Sequence, residues 1–403
     1  MVYGSPEGEY SKMIPLIKFT MLNEKKVKTE LPIFIKKAKK LSMGRFCEHF
    51  EQKFANFQGR KHAVLFNSGS SANLALLQAL KNLELLKDDD KIGFSALTWA
   101  TNVMPIIQLG LKPIPIDVIV HTMNISTDTL LERIKKIKLK ALFITNVLGF
   151  TGDLQEIRQV CDDNKIILLE DNCEALGTEL YEGKSGNFGL ASTFSFYVAH
   201  HMSTIEGGMV CTDNDDLAVM LKIVRAHGWD RNLSETQKRF IRDKYGIHDD
   251  FYGKYTFYDL GYNLRPTEIT GFIGLKQLET VNKSNKKRLE IYNKIYKVYR
   301  GNNNLIEHFT KHIRFLSPFA FPVICKSKDI KERYLDKFKE RRIETRPLIA
   351  GNIQRQPFYK KYVRKAFVLK NADFLHENAF YFGLYPEMTD REVKLVSSTL
   401  MGA

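Results

Sequence analysis

The sequence has no apolar run approaching the roughly 20 residues that cross a bilayer. Its first residues lack the basic, apolar and small-residue order of a signal peptide. A soluble, cytoplasmic protein that binds no membrane is the expectation. Cysteine is sparse: Cys47, Cys161, Cys173, Cys211 and Cys325 are odd in number, scattered, and never arranged as CxxC or CxC. That argues against a disulfide framework and against a dedicated metal site. Internal repeats and low-complexity blocks are absent, as are zinc-finger, RRM and basic-zipper patterns.

Acidic residues are the minority: 46 against 61 Lys and Arg, a formal net charge of +15. The lysines fall in short clusters, Lys36 to Lys40 and Lys283 to Lys287, which read as solvated helix faces. A phosphate-bearing small molecule therefore suits the charge better than nucleic acid. With 403 residues, 44% of them hydrophobic, the chain has material for one large domain and a smaller one.

Residues 1–20 are polar and contain glycine and proline, and are expected to form an irregular arm. An amphipathic stretch, Leu31 to Phe57, follows. Apolar runs then alternate with helical patterns. Strands are expected at Ala63–Phe66, Lys91–Phe94, Pro113–Asp117, Ala141–Asn146 and Ile166–Glu170. Helices are expected at Ser71–Leu86, Asn102–Leu109, Asp128–Lys138 and Leu154–Asn164. This alternation predicts an α/β fold with a parallel sheet covered by helices. From about Ser284, charged helices and a new β-like run, Phe319 to Ile324, suggest a second unit. The division is 1–20 arm, 21–283 large domain, 284–403 small domain.

Ligands of such sheets sit beyond the carboxyl ends of the strands. Asn67-Ser68-Gly69-Ser70-Ser71-Ala72-Asn73 follows the first run and opens a helix. Backbone N–H groups there, with small side chains, can cradle a phosphate; an ordinary serine cap has the same look. Trp99 lies after the second run, and Asp171 ends the fifth in Ile167-Leu168-Leu169-Glu170-Asp171-Asn172-Cys173-Glu174. A strand-end aspartate can pair with a protonated pyridine nitrogen and keep that ring electron-poor. A structural salt bridge and a metal ligand are the alternatives.

The stretch from Ser192 through Ser195-Phe196, His200-His201 and Glu206-Gly207-Gly208 is the specific one. With the earlier motifs it resembles the DegT/DnrJ/EryC1/StrS family of sugar aminotransferases, from about residue 13 to the end. The resemblance implies the pyridoxal phosphate-dependent transferase fold of aspartate aminotransferase, fold type I: a mostly parallel sheet with a smaller C-terminal domain. In that family a lysine bonds covalently to the cofactor. Counted from Ser195-Phe196 or from Glu206-Gly207-Gly208, its position here is His200. Imidazole forms no stable bond of that kind, but it moves protons. The exchange resembles the keto-sugar 3-dehydratases of the family.

One branch of those dehydratases carries a [2Fe–2S] cluster. With Cys173 as first ligand, the family's spacing puts the others at Arg231, Leu233 and Ile241, none of which is a thiolate. The cluster-free branch fits better. Arg225 to Leu233, Leu260 to Glu268 and Ile343 to Pro347 match it, whereas Phe251 to Tyr258 looks more like the cluster branch. The nucleotide and the sugar therefore stay open.

Residue by residue, the resemblance implies that Gly69, Ser70 and Ser195 hold the cofactor phosphate. Trp99 stacks on the ring, Asp171 pairs with its nitrogen and Glu174 lies near its 3-hydroxyl. Asn263 reaches the partner subunit's cofactor, so a homodimer with shared sites is implied. His227, Arg231, Arg265 and Arg346 hold the substrate, arginine forks being suited to diphosphates. The implied activity is C3 deoxygenation of a nucleotide-diphosphate-linked 4-keto-6-deoxy sugar. The cofactor alternates between pyridoxal 5′-phosphate and pyridoxamine 5′-phosphate, with L-glutamate as amino donor and His200 as catalytic base. An aminotransferase using another lysine, the iron–sulfur enzyme acting on a CDP-sugar, and an inactive relative remain as alternatives.

Overall fold

The structure is a computed structural model and describes residues 13–401. The first twelve residues of the expected arm lie outside the described part. The remainder of that arm runs along the C-terminal part of the chain, where Ile14 bridges Ile343 and the Leu16 amide donates to Glu344.

Two helices come first, α1 (Glu24–Lys37) and α2 (Arg45–Gln58), where the sequence reads as one amphipathic stretch. A seven-stranded sheet follows. Its members are β1 (His62–Phe66), β2 (Lys91–Ser95), β3 (Lys112–Ile116), β4 (Ala141–Thr145), β5 (Ile167–Asp171), β7 (Ala191–Ser195) and β8 (Gly208–Thr212). The short β6 (Glu179–Leu180) stands outside it and pairs with β9 (Ile313–Phe315). Helices α3 (Gly69–Asn82), α4 (Ala100–Gln108), α5 (Thr127–Ile134), α6 (Leu154–Asp163) and α7 (Asp215–Arg225) alternate with the strands.

The strand order is β1-β8-β7-β5-β4-β2-β3. Pairings from β3 through β7 are parallel; β8 runs antiparallel between β7 and β1. The apolar runs are nearly continuous because both faces are buried, and successive residues serve opposite cores. Val64 and Phe66 of β1 join Ala141 and Phe143 of β4 under α3, α4 and α7. Ala63 and Leu65 turn to the other face, onto Phe50 and Phe54 of α2. The edge strand β3 carries Pro113 and Pro115, which an interior strand would not accept.

Glu170 and Asp171 divide by the same alternation. Glu170 is fully buried and accepts from the backbone amides of Gly186, Phe188 and Gly189. It is a structural carboxylate that pins the loop before β7, which leaves Asp171 for the opposite side. Arg225, at the end of α7, is likewise fully buried, bonded to Glu51 of α2 at 2.6 Å and to the Leu65 carbonyl of β1.

Beyond β8 lie α8 (Glu235–Lys244), α9 (Asp250–Gly253), α10 (Glu268–Leu278) and α11 (Val281–Tyr299). A three-stranded antiparallel sheet of β10 (Ala320–Ile324), β12 (Ala379–Gly383) and β11 (Thr345–Pro347) follows, with β12 central. The long helix α11 runs through the boundary expected at residue 284.

Candidate active site

The carboxyl ends of β1, β2, β5 and β7 gather most of the residues singled out from sequence. After β1, Ser68 caps α3 by accepting from the Ser71 amide at 3.0 Å. Close backbone approach forms the floor of this turn. A Cβ on Gly69 would lie 2.7 Å from the Ser195 Cβ, and one on Gly208 would lie 2.2 Å from the Ser68 carbonyl oxygen. Only glycine fits at either place. Gly69, Ser70 and Ser195 thus share one corner, with the free N–H groups of the helix start beside them.

Asp171 is 4% exposed. Its Oδ2 accepts from Asn73 of α3 at 3.0 Å and Asn102 of α4 at 2.7 Å; its Oδ1 accepts from the Cys173 amide at 2.9 Å. All three donors are neutral, and among the described residues no Lys, Arg or His forms an ion pair with this carboxylate. A buried acid held in the acceptor state without a cation suits a ligand that brings its own positive N–H. Trp99, immediately before α4, is 58% exposed and lies one turn from Asn102, the residue that donates to Asp171. The residues fit a phosphorylated pyridinium cofactor. Asn73 and Asn102 were not assigned from sequence; the available signal is a polar side chain on the buried side of each helix.

His200 lies in the connection between β7 and β8, just after Ala199, whose φ of 81° is left-handed. His200 is half-buried, and its imidazole rests against the Phe319 ring, centroids 5.3 Å apart. Its Nδ1 is enclosed without a partner. Burial pushes its pKa down to about 4, the Cys173 backbone opposes the shift, and the Arg288 charge adds to it. His201 is a different kind of residue: 0% exposed, Nε2 on the Ser317 carbonyl at 3.0 Å, packed on the same phenylalanine. The connection from Tyr197 to Gly207 contains no lysine.

Glu174 accepts from the Leu148 amide at 2.9 Å. Burial pushes its carboxyl up to about 8; the Leu148 amide opposes this and the Asp171 charge reinforces it. Its surroundings therefore favour the neutral, protonated carboxyl. Arg346 of β11 is exposed, bonded to Glu344 at 2.5 Å, and stands across the ladder from Tyr381 of β12.

The remaining candidates form a second group. His227 is exposed with φ 64°, and its amide donates to the Tyr262 carbonyl at 2.7 Å. Arg231 lies over Trp229 at 5.1 Å, and Arg265 donates to Asn263 Oδ1 at 3.0 Å. This group is tied to the phosphate corner by a backbone hydrogen bond, the Asn67 amide donating to the Leu264 carbonyl at 3.0 Å. None of its side chains is hydrogen-bonded to Asp171 or His200 among the described residues. Exposed Phe251, Tyr252, Tyr255 and Phe257 lie alongside in sequence. Leu233 and Ile241, cluster-ligand positions in the iron–sulfur branch, are buried apolar residues, and Cys173 is a free thiol.

The fold and this corner define a fold type I enzyme of the pyridoxal phosphate-dependent class. The pattern of the DegT/DnrJ/EryC1/StrS aminotransferase family matches residues 24–401, and the chain belongs to that family. It is 32% identical over 354 residues to the GDP-4-keto-6-deoxy-D-mannose 3-dehydratase of Escherichia coli O55:H7, covering 86% of this chain and 89% of the relative. It is 35% identical to the lipopolysaccharide biosynthesis protein RfbH of Salmonella typhimurium, covering 89% of this chain and 85% of that one. The E. coli dehydratase solved with bound hydrated PLP superposes with a TM-score of 0.86 at 29% identity, over 96% of this chain and 99% of that one. No helix among the described residues is long and apolar enough to cross a membrane.

Proposed function

We propose that this chain is a pyridoxal phosphate-dependent 3-dehydratase that removes the C3 hydroxyl of a nucleotide-diphosphate-linked 4-keto-6-deoxy sugar, with glutamate as amino donor. The observation that carries this reading is His200 at the position of the family's cofactor-bonding lysine, half-buried and next to the Asp171 loop. The relatives named as dehydratases of such a sugar support the substrate class, and a PLP–glutamate geminal diamine trapped in a GDP-4-keto-6-deoxymannose 3-dehydratase supports the donor.

The bound cofactor supplies an electron sink to the carbons next to its ring. Gly69, Ser70 and Ser195 hold its phosphate by backbone and hydroxyl donors. Trp99 covers the ring face, and Asp171 keeps the proton on the ring nitrogen. Glu174, its surroundings favouring the protonated form, donates toward the ring's 3-hydroxyl. His200 takes a proton at the C4′ carbon, for which a neutral imidazole is the required form. Glutamate leaves as 2-oxoglutarate; ammonia and the 3-deoxy-4-keto sugar are the other products. Residues 21–283 make the cofactor unit and 284–403 the smaller one. Arg346 holds the substrate from the small unit. His227, Arg231 and Arg265 hold the substrate with it, and Asn263 completes the site of a second copy, so the active form is a homodimer.

Borohydride treatment of the protein with pyridoxal phosphate tests the base assignment. Peptide mass spectrometry should find the cofactor fixed to no lysine. A stoichiometric adduct on one lysine would overturn the reading in favour of an aminotransferase.

A further inference from the structure

Arg288 of α11 has no place in the chemistry above, yet its surroundings are unusual. It is 4% exposed. Its Nη1 donates to two backbone carbonyls, Phe319 at 2.9 Å and Leu384, while its Nε has no partner. Among the described residues no carboxylate forms an ion pair with it; the acidic group that acts on it is Glu387, from a distance. Burial lowers its pKa only to about 10, so it stays charged at neutral pH. A buried cation without a carboxylate costs stability. With His200, Ser203, Tyr385 and Glu387 it lines a small cavity of about 20 Å³. The carbonyl it grips belongs to Phe319, whose ring backs the His200 imidazole.

We propose that Arg288 is a positioning residue for His200. It fixes the phenylalanine on which the imidazole rests, and it sets a positive charge behind that imidazole, which adds to burial in keeping the base neutral and ready to take a proton. A like charge disfavours the protonated ring, and low local polarity strengthens the effect. The other titratable groups around His200 are Tyr197 and His201 on its own connection and Cys173 after β5, with Asp171 and Glu174 on either side of it. Tyr385 and Glu387 face it across the cavity. Beside these groups, Arg288 is a cation held in place by the Phe319 and Leu384 carbonyls. The inference rests on His200 being the base, and its test reads the histidine directly.

Ring-labelled histidine in the full-length protein, as purified and after loading with pyridoxal phosphate, gives the His200 titration midpoint by NMR; His200→Asn identifies the signal. The wild-type midpoint should lie below that of an exposed histidine. In Arg288→Gln it should rise, burial alone remaining to depress it, and the acid limb of the kcat profile should move with it. Arg288→Met gives a second charge-free variant should the glutamine form fold poorly. Arg288→Lys, which keeps the charge, should hold the midpoint low. A wild-type midpoint at or above the ordinary value, an unmoved midpoint in the charge-free variants, or a lysine variant that behaves like glutamine would each overturn the proposal. Full turnover in His200→Ala would instead overturn the base assignment, and the NMR comparison would still decide the role of Arg288.

Discussion

At the scale of single residues, electrostatics sorts the carboxylates. Glu170 is satisfied by backbone amides, Asp171 by neutral side chains and the Cys173 amide, and Glu174 is pushed toward its neutral form. Glu174 carries a pH prediction. Its folded pKa, about 8, lies above the ordinary carboxylate value, so its stabilising contribution is complete below about pH 4.5 and is lost as pH rises through 8. If its proton serves the site, wild-type turnover should fall above pH 8, while Glu174→Gln should stay active at pH 7 and lose that limb. A pH–rate profile with an unchanged basic limb in the variant would argue against the assignment. Asp171 stands out in the sequence as an acid ending an apolar run, and His200 by its spacing from Ser195-Phe196 and Glu206-Gly207-Gly208. Asn73 and Asn102 were not assigned, because they meet Asp171 across 98 and 69 residues of chain, a separation that no local pattern reports.

At the scale of elements, short continuous apolar runs placed the central strands, since strands buried on both faces carry apolar residues at successive positions. Ends were read less well. The helix expected from Ser71 starts at Gly69, because Ser68 caps it, and it stops at Asn82 rather than Leu86. The antiparallel β8 escaped the strand–helix alternation because no crossover helix precedes it; the His200 connection takes that place. The corner where α3 starts is set by steric fit. Gly69→Ala would put a methyl carbon 2.7 Å from the Ser195 Cβ. The expected cost is about 1–3 kcal/mol of stability, with a larger proportional loss in cofactor affinity. Thermal unfolding and a cofactor titration check it; wild-type values in both would show that the corner is not the phosphate site.

At the scale of the molecule, the class of fold was legible from alternation and motif order, but the meeting of distant parts was not. Arg346 of β11 stands opposite Tyr381 of β12, and Ile14 bridges Ile343; both depend on how the chain returns, which composition does not encode. Asn263 poses the question of a shared site. Its loop touches its own chain's phosphate corner through the Leu264 carbonyl, and its side chain binds Arg265. Mixed dimers of His200→Ala and Asn263→Ala subunits separate the cases. If Asn263 acts across the dimer, one site of the mixed dimer collects both defects and the other is intact, so activity recovers. No recovery, with subunit exchange demonstrated and both parents impaired, would place Asn263 in its own chain's site.

The most direct test of the whole account is the mass of the product. The protein, loaded with pyridoxal phosphate, is given glutamate and, in turn, GDP-, CDP- and dTDP-linked 4-keto-6-deoxy sugars. With a histidine base and no lysine bond to the cofactor, the product should be lighter than one of these substrates by a single oxygen atom, and 2-oxoglutarate and ammonia should accompany it. A product that keeps the C3 hydroxyl and carries an amino group at C4 would contradict it.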